Sequence, residues 1–162
     1  MLQHVGLAAK LPAPMGMEDG PHSQLSAAET ALLAMADPSP DSRISLIGPN
    51  TLELLCALLR QGSADVCATR ICDRPKADTA DVAIIPGIRS PDHLTRSIAH
   101  ARRGLAPHGT VAIHLDASAD ALIQQASQLL LLHGFKGLRK AGCAEGTLIC
   151  GELPLYGGLA CA

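Results

Sequence analysis

The chain has no Trp, a single Phe (Phe135) and a single Tyr (Tyr156). Its core must therefore be built from Leu, Ile, Val and Ala. The chain also lacks the aromatic platforms on which unpaired bases stack, which argues against single-stranded nucleic-acid binding. The formal net charge of −2 gives no field to gather DNA or an anionic membrane surface. No apolar run reaches the roughly 18 residues of a membrane span, and Met1-Leu-Gln-His-Val-Gly6 lacks the basic and apolar regions of a secretory signal. A cytoplasmic, reducing environment is expected, with the six cysteines as free thiols. There is no Cys-x-x-Cys pair: Cys67 and Cys72 stand five apart and Cys143 and Cys150 seven apart, so buried, inert thiols are expected and no metal site. The absence of a Gly-x-x-x-x-Gly-Lys run argues against a nucleotide triphosphatase.

What the 162 residues do contain is enough for one domain with a self-sufficient core. Residues 1–25 carry Pro12, Pro14, Gly16, Gly20 and Pro21 and few large apolar groups, and they read as a flexible leader. Within it His4, Met15, Met17 and His22 read as a tail rather than a soft-metal tract. Residues 26–154 form the domain and 155–162 a C-terminal tail.

Ser26 and Glu29 make a Ser-x-x-Glu capping box, and the helix it opens carries Leu25, Leu32, Leu33 and Met35 on one stripe before Asp37-Pro-Ser-Pro40 stops it. Arg43–Gly48 is a short β-branched strand. Asn50 with Glu53 marks a second helix start, with Leu52, Leu55, Cys56 and Leu59 as the expected buried face up to Gly62. Asp65–Ile71 and Asp81–Ile85 are further strands. Ser90-Pro91 opens a helix with Pro at its first position, where no amide donor is missed. Its face is Leu94, Ile98, Ala101 and Leu105, which turns Arg96, Arg102 and Arg103 outward. Pro107-His-Gly109 turns into the strand Thr110–Leu115. A last helix over 119–132 ends at Gly134, and two strands close the chain. Strands alternating with helices call for a mostly parallel sheet covered on both faces.

Three stretches together resemble the class I S-adenosylmethionine-dependent methyltransferases. They are the strand–Gly48–helix unit, the span Asp81–Ile113 with its Leu105-x-Pro-x-Gly109 turn, and the helix ending His133-Gly-Phe135 followed by two strands. The resemblance covers about residues 26–153. It implies a three-layer αβα Rossmann-like core, with Ile44–Ile47 flanked by the strands at 66–70 and 82–85, then 111–114 and the terminal pair. It also implies a cofactor site at Gly48, Asn50, Asp73, Pro86 and Gly87.

This sequence departs from the family pattern in the same place. Leu46 stands where the family's first strand ends in an acid, and Asn50 and Leu52 replace two of its three loop glycines. Arg70 replaces the acid that holds the ribose hydroxyls; a guanidinium has no acceptor capacity. Ile71 to Ala80 is only ten residues, both ends included, reaching at most ~33–36 Å, which leaves nothing for the family's third strand. The outer strand should be missing, leaving Asp65–Ile71 as an open edge that needs a protein partner, a second copy or the leader to cover it. The expectation is a non-catalytic methyltransferase-like subunit with no cofactor and no catalytic residue. The alternative is an atypical transferase using S-adenosylmethionine.

Among single reactive residues, His100, beside Arg102 and Arg103, reads as solvated, and His108 as an exposed turn residue. His114 and Asp116, at a strand end, are the candidates for proton transfer. Tyr156 reads as a tail anchor. Leu129–Leu132 point in four directions about 100° apart, so at least one should face outward or lie under the segment 155–159.

Overall fold

The computed structural model describes residues 24–116 and 120–155. The leader up to Ser23, Ala119 and the tail from Tyr156, including the expected cover at 156–159, lie outside the described residues.

Helix α1 (Ala27–Ala36) begins at the expected box: Glu29 N–H donates to Ser26 Oγ at 3.1 Å while Ser26 N–H donates to Glu29 Oε2 at 2.9 Å. Strand β1 (Arg43–Ile47), helix α2 (Leu52–Arg60), strand β2 (Asp65–Thr69) and strand β3 (Ala80–Ile88) follow. They are succeeded by α3 (Pro91–Gly104), β4 (Leu105–Leu115), α4 (Asp120–Leu132), β5 (Lys136–Cys143) and β6 (Gly146–Glu152).

The strands form one six-stranded sheet in the order β2-β1-β3-β4-β6-β5. β2, β1, β3 and β4 are parallel, and the terminal hairpin is antiparallel, with β6 against β4. This is the predicted order, and the sheet ends at β2. Residues 70–79 form turns and extended chain with no strand.

Alternation along the strands divides the core in two. Ile44, Leu46, Val82, Ile84, Ala112 and Leu148 pack with Leu32, Leu54 and Leu58 on the α1/α2 face. Ile47, Ala83, Ile85, Val111, Ile113 and Ile149 pack with Leu94, Ile98, Ala126, Leu130 and Phe135 on the α3/α4 face. At the starts of β1 and β3, the Arg43 guanidinium grips Asp81 through Nε (3.0 Å) and Nη2 (2.7 Å), and its backbone N–H adds a third bond at 2.9 Å. No helix among the described residues is long and apolar enough to cross a membrane.

Four expectations are corrected. The buried face of α2 is Leu54, Ala57 and Leu58, whereas Leu52 and Leu59 are 69% and 52% exposed. The α2 cap residue is Thr51, because Asn50 has the left-handed φ of 58°. The turn at Pro107–Gly109 is a bulge inside β4, with His108 exposed at φ 65°. The thiols are not uniformly buried: Cys67 and Cys72 are exposed, Cys56 and Cys143 part-buried and Cys150 buried, all free. Leu131 and Leu132 are both exposed at the end of α4, as its four-leucine run requires.

Candidate functional site

At the C-terminal ends of β1, β3 and β4, the loops that follow β1 and β3 converge with the β5–β6 turn. Gly48 leaves β1 at φ 130°, and its N–H donates to the Thr69 carbonyl at 3.2 Å, tying the loop to the end of β2. A Cβ at Gly48 would meet no atom within 4 Å, so backbone conformation rather than space demands glycine here. Between this loop and β2 lies a cavity of about 580 Å³, lined by Gly48–Leu52, Leu55 and Ala68–Ile71. On the other side of the same loop lies a second cavity of about 510 Å³. Asn50, Pro86, Gly87, Arg89, His93 and His114 line it, with Glu29, Asp116 and Glu145.

The structure brings four of the five expected cofactor residues to these two cavities: Gly48 to the first, Pro86 and Gly87 to the second, and Asn50 to both. Asp73 is elsewhere. Its Oδ2 accepts from the Arg70 N–H at 2.9 Å and its own N–H donates to the Arg70 carbonyl at 3.0 Å, so its carboxylate closes a turn and lines neither cavity.

His114 is 5% exposed, and its Nε2 has no hydrogen-bond partner. Asp116, its companion in the expected proton-transfer pair, is engaged by the Arg89 guanidinium instead. His93, outside the residues expected from the sequence, has an Nε2 that is likewise buried without a partner. The signal lay in Ser90-Pro91: the cap bond from His93 N–H to Ser90 Oγ, 3.3 Å, fixes His93 in the first turn of α3 beside the end of β3. Glu145, also outside the expected residues, is carried to the second cavity by the β5–β6 turn.

His100 corrects an expectation of solvation: it is 1% exposed. Its Nε2 lies 3.3 Å from Thr69 Oγ1, and it lines a third cavity of about 460 Å³ together with Ser45, Cys67 and the connection at Arg74–Lys76. Burial pushes the His100 imidazole below its ordinary value, against an opposing pull from the Ile71 carbonyl. The unfolded chain therefore takes up a proton near ~6.5 while the folded chain keeps the ring neutral. Stability falls as pH drops below that value, and His133, lowered by burial and by Arg102, acts in the same direction. His100→Gln is expected to flatten the dependence of melting temperature on pH between ~7 and ~5. An unchanged slope in the variant would remove His100 from this account.

The described residues contain no cluster of three or more His, Cys, Asp or Glu able to hold a metal ion. No family model and no curated protein matches the chain by sequence. Solved structures do match by shape. A chain from the complex between the Haloferax volcanii Trm112 methyltransferase activator and a protein described as a putative methyltransferase superposes with a TM-score of 0.63 at 11% identity, over 80% of this chain and 89% of that one. A tRNA methyltransferase from Aquifex aeolicus gives 0.60 at 10% identity, over 80% and 70%. Human N-acetylserotonin methyltransferase gives 0.59 at 12% identity, over 79% and 52%. The fold is that of the class I S-adenosylmethionine-dependent methyltransferases. The chain spans 66% and 51% of two other similar chains, one described as a possible exported protein of Bordetella parapertussis and the other the CurJ carbon methyltransferase.

Proposed function

We propose that this chain is a non-catalytic methyltransferase-like domain that serves as a structural or regulatory partner subunit. One observation supports this above the rest. Among the residues lining the cavity between the Gly48 loop and β2, the single charged group is the guanidinium of Arg70. S-adenosylmethionine presents ribose hydroxyls as donors and carries a sulfonium and an ammonium cation with one carboxylate, so it is net cationic. A site for it needs carboxylate acceptors, and a guanidinium both repels its cations and accepts nothing. The lining of this first cavity supplies no carboxylate for this cofactor. The Haloferax methyltransferase of the same fold is found with a protein activator, which supports a partner-dependent role for the fold.

Heating the protein with and without the cofactor tests the reading. A ligand held at about 1 μM and supplied at about 1 mM would stabilise the fold by ~4 kcal/mol, raising the melting temperature by about 10 °C or more. No rise is expected. A rise of that size with S-adenosylmethionine would sink the proposal.

The second cavity favours one other reading, an atypical S-adenosylmethionine-dependent methyltransferase. It holds two imidazole Nε2 atoms without partners and shares Asn50 with the first cavity. S-adenosylhomocysteine formation that disappears in His114→Gln would favour that reading.

A further inference from the structure

The two edges of the sheet are built differently. β5, at one end, carries Lys136, Arg139 and Lys140, sets Gly137 at φ 62° and breaks register with β6 between Lys136 and Arg139. Cationic side chains and a bulge are the devices by which an edge strand refuses further pairing. β2, at the other end, has none of them. Asp65-Val66-Cys67-Ala68-Thr69 contains no Lys, Arg or Pro, pairs with β1 in unbroken register, and exposes Asp65, Cys67 and Ala68.

Which backbone groups β2 offers outward follows from one hydrogen bond. The Thr69 carbonyl accepts from Gly48 N–H and so faces β1. Successive residues of a strand alternate the direction of their N–H and C=O groups. Asp65, Cys67 and Thr69 are thus committed to β1, and Val66 and Ala68 present theirs to the open side.

We propose that the occupant of this edge is a second copy of the chain, its β2 antiparallel to the first about a two-fold axis at Cys67. The inference rests on the partner-subunit reading above and names the partner. A closed dimer requires a self-complementary surface, and β2 supplies one. The register that pairs all five residues is centred on Cys67 and sets Val66 opposite Ala68 of the other copy, twice. These are the residues with free backbone groups, and they give roughly four inter-chain hydrogen bonds. The antiparallel direction brings the Asp65 end of each strand to the Arg70 end of the other, so unlike charges meet. On the helical face, Leu52 and Leu55 line the same cavity as Ala68, and Leu59 continues their stripe along α2. The exposed flank of α2 therefore borders the seam. The two Cys67 residues form a pair without mutual backbone bonds, whose Cα separation of ~4.5 Å is within the ~4.4–6.8 Å that a disulfide spans.

Light scattering on the reduced full chain gives the oligomeric state, and diamide tests the register. Diamide takes up the two protons and two electrons released by a thiol pair as the S–S bond forms, and is reduced to the hydrazine. The expected results are twice the 16.7 kDa chain mass in reductant, return to 16.7 kDa in Ala68→Lys, and a diamide-linked dimer that Cys67→Ser loses and Cys72→Ser keeps. Ala68 is exposed, and a melting curve of Ala68→Lys checks that the variant remains folded. A monomeric wild type overturns the second copy as occupant. A dimer indifferent to Ala68→Lys, or a cross-link that survives Cys67→Ser, overturns the β2 seam. None of these outcomes bears on the thermal response to S-adenosylmethionine, so the two readings fail separately.

Discussion

Gly146→Ala is expected to cost about 3 kcal/mol or more of stability, one of the largest single-residue losses available in this fold. Gly146 opens β6 at φ 147°, and a Cβ there would sit 2.0 Å from the Leu115 carbonyl oxygen and 3.2 Å from His114 Nε2. The first contact is with backbone in the interior of the sheet, where β4 and β6 are paired from Thr110 to Leu115. Relief therefore requires the hairpin to lift away from β4, and no side chain can move to give room. The same close approach shapes the second cavity, because Glu145 precedes Gly146 and His114 lies against it. Gly142, four residues earlier in β5, is the control: a Cβ there meets nothing within 4 Å, so Gly142→Ala should be nearly neutral. Chemical denaturation of both variants decides the matter. A loss below ~1 kcal/mol for Gly146→Ala would show that the hairpin is not held this closely.

Arg70→Asp is expected to strengthen S-adenosylmethionine binding by roughly tenfold or more. A carboxylate at the end of β2 supplies the charged acceptor that the first cavity lacks and removes a like charge from beside a net cationic ligand. Hydrogen bonds to a charged group contribute about 1.5–3 kcal/mol, and each ~1.4 kcal/mol is a factor of ten in affinity. The turn beyond the strand should survive, since Asp73 is held by the backbone N–H and carbonyl of Arg70 and not by its guanidinium. Parallel titrations of wild type and variant give the ratio. Equal affinities would mean that residue 70 is not where the cavity fails, and that the missing outer strand matters more.

The order of the sheet was legible because each parallel strand announces itself. Arg43–Ile47, Asp65–Thr69 and Ala80–Ile88 are short or β-branched and punctuated by Gly, Pro or Asp, and the ten-residue connection at 70–79 has no room for another strand. The face of α2 was not legible. Leu52, Leu54, Leu55, Cys56, Ala57, Leu58 and Leu59 are all apolar, so the helical period has no contrast from which to take its phase. Packing against Leu32, Ile44 and Leu46 selects Leu54 and Leu58 instead.

His100 was misjudged for a different reason. Its own helix places it beside Arg102 and Arg103, but what covers it is the connection running from Ile71 to Lys76, a contact across some thirty positions that no local pattern records. The candidate site was legible as far as Gly48, Asn50, Pro86 and Gly87, which carry the loop chemistry of a strand end. His93 and Glu145 reach the second cavity only because α3 and the terminal hairpin pack where they do.

The most direct test of the central claim is calorimetric titration of the unmodified full chain with S-adenosylmethionine. The missing acid and the guanidinium in its place should together cost ~3–6 kcal/mol of binding, turning a micromolar site into a millimolar or weaker one. The expected result is no saturable heat at micromolar ligand. A one-to-one isotherm with Kd in the low micromolar range would contradict the non-catalytic reading and put the transferase in its place.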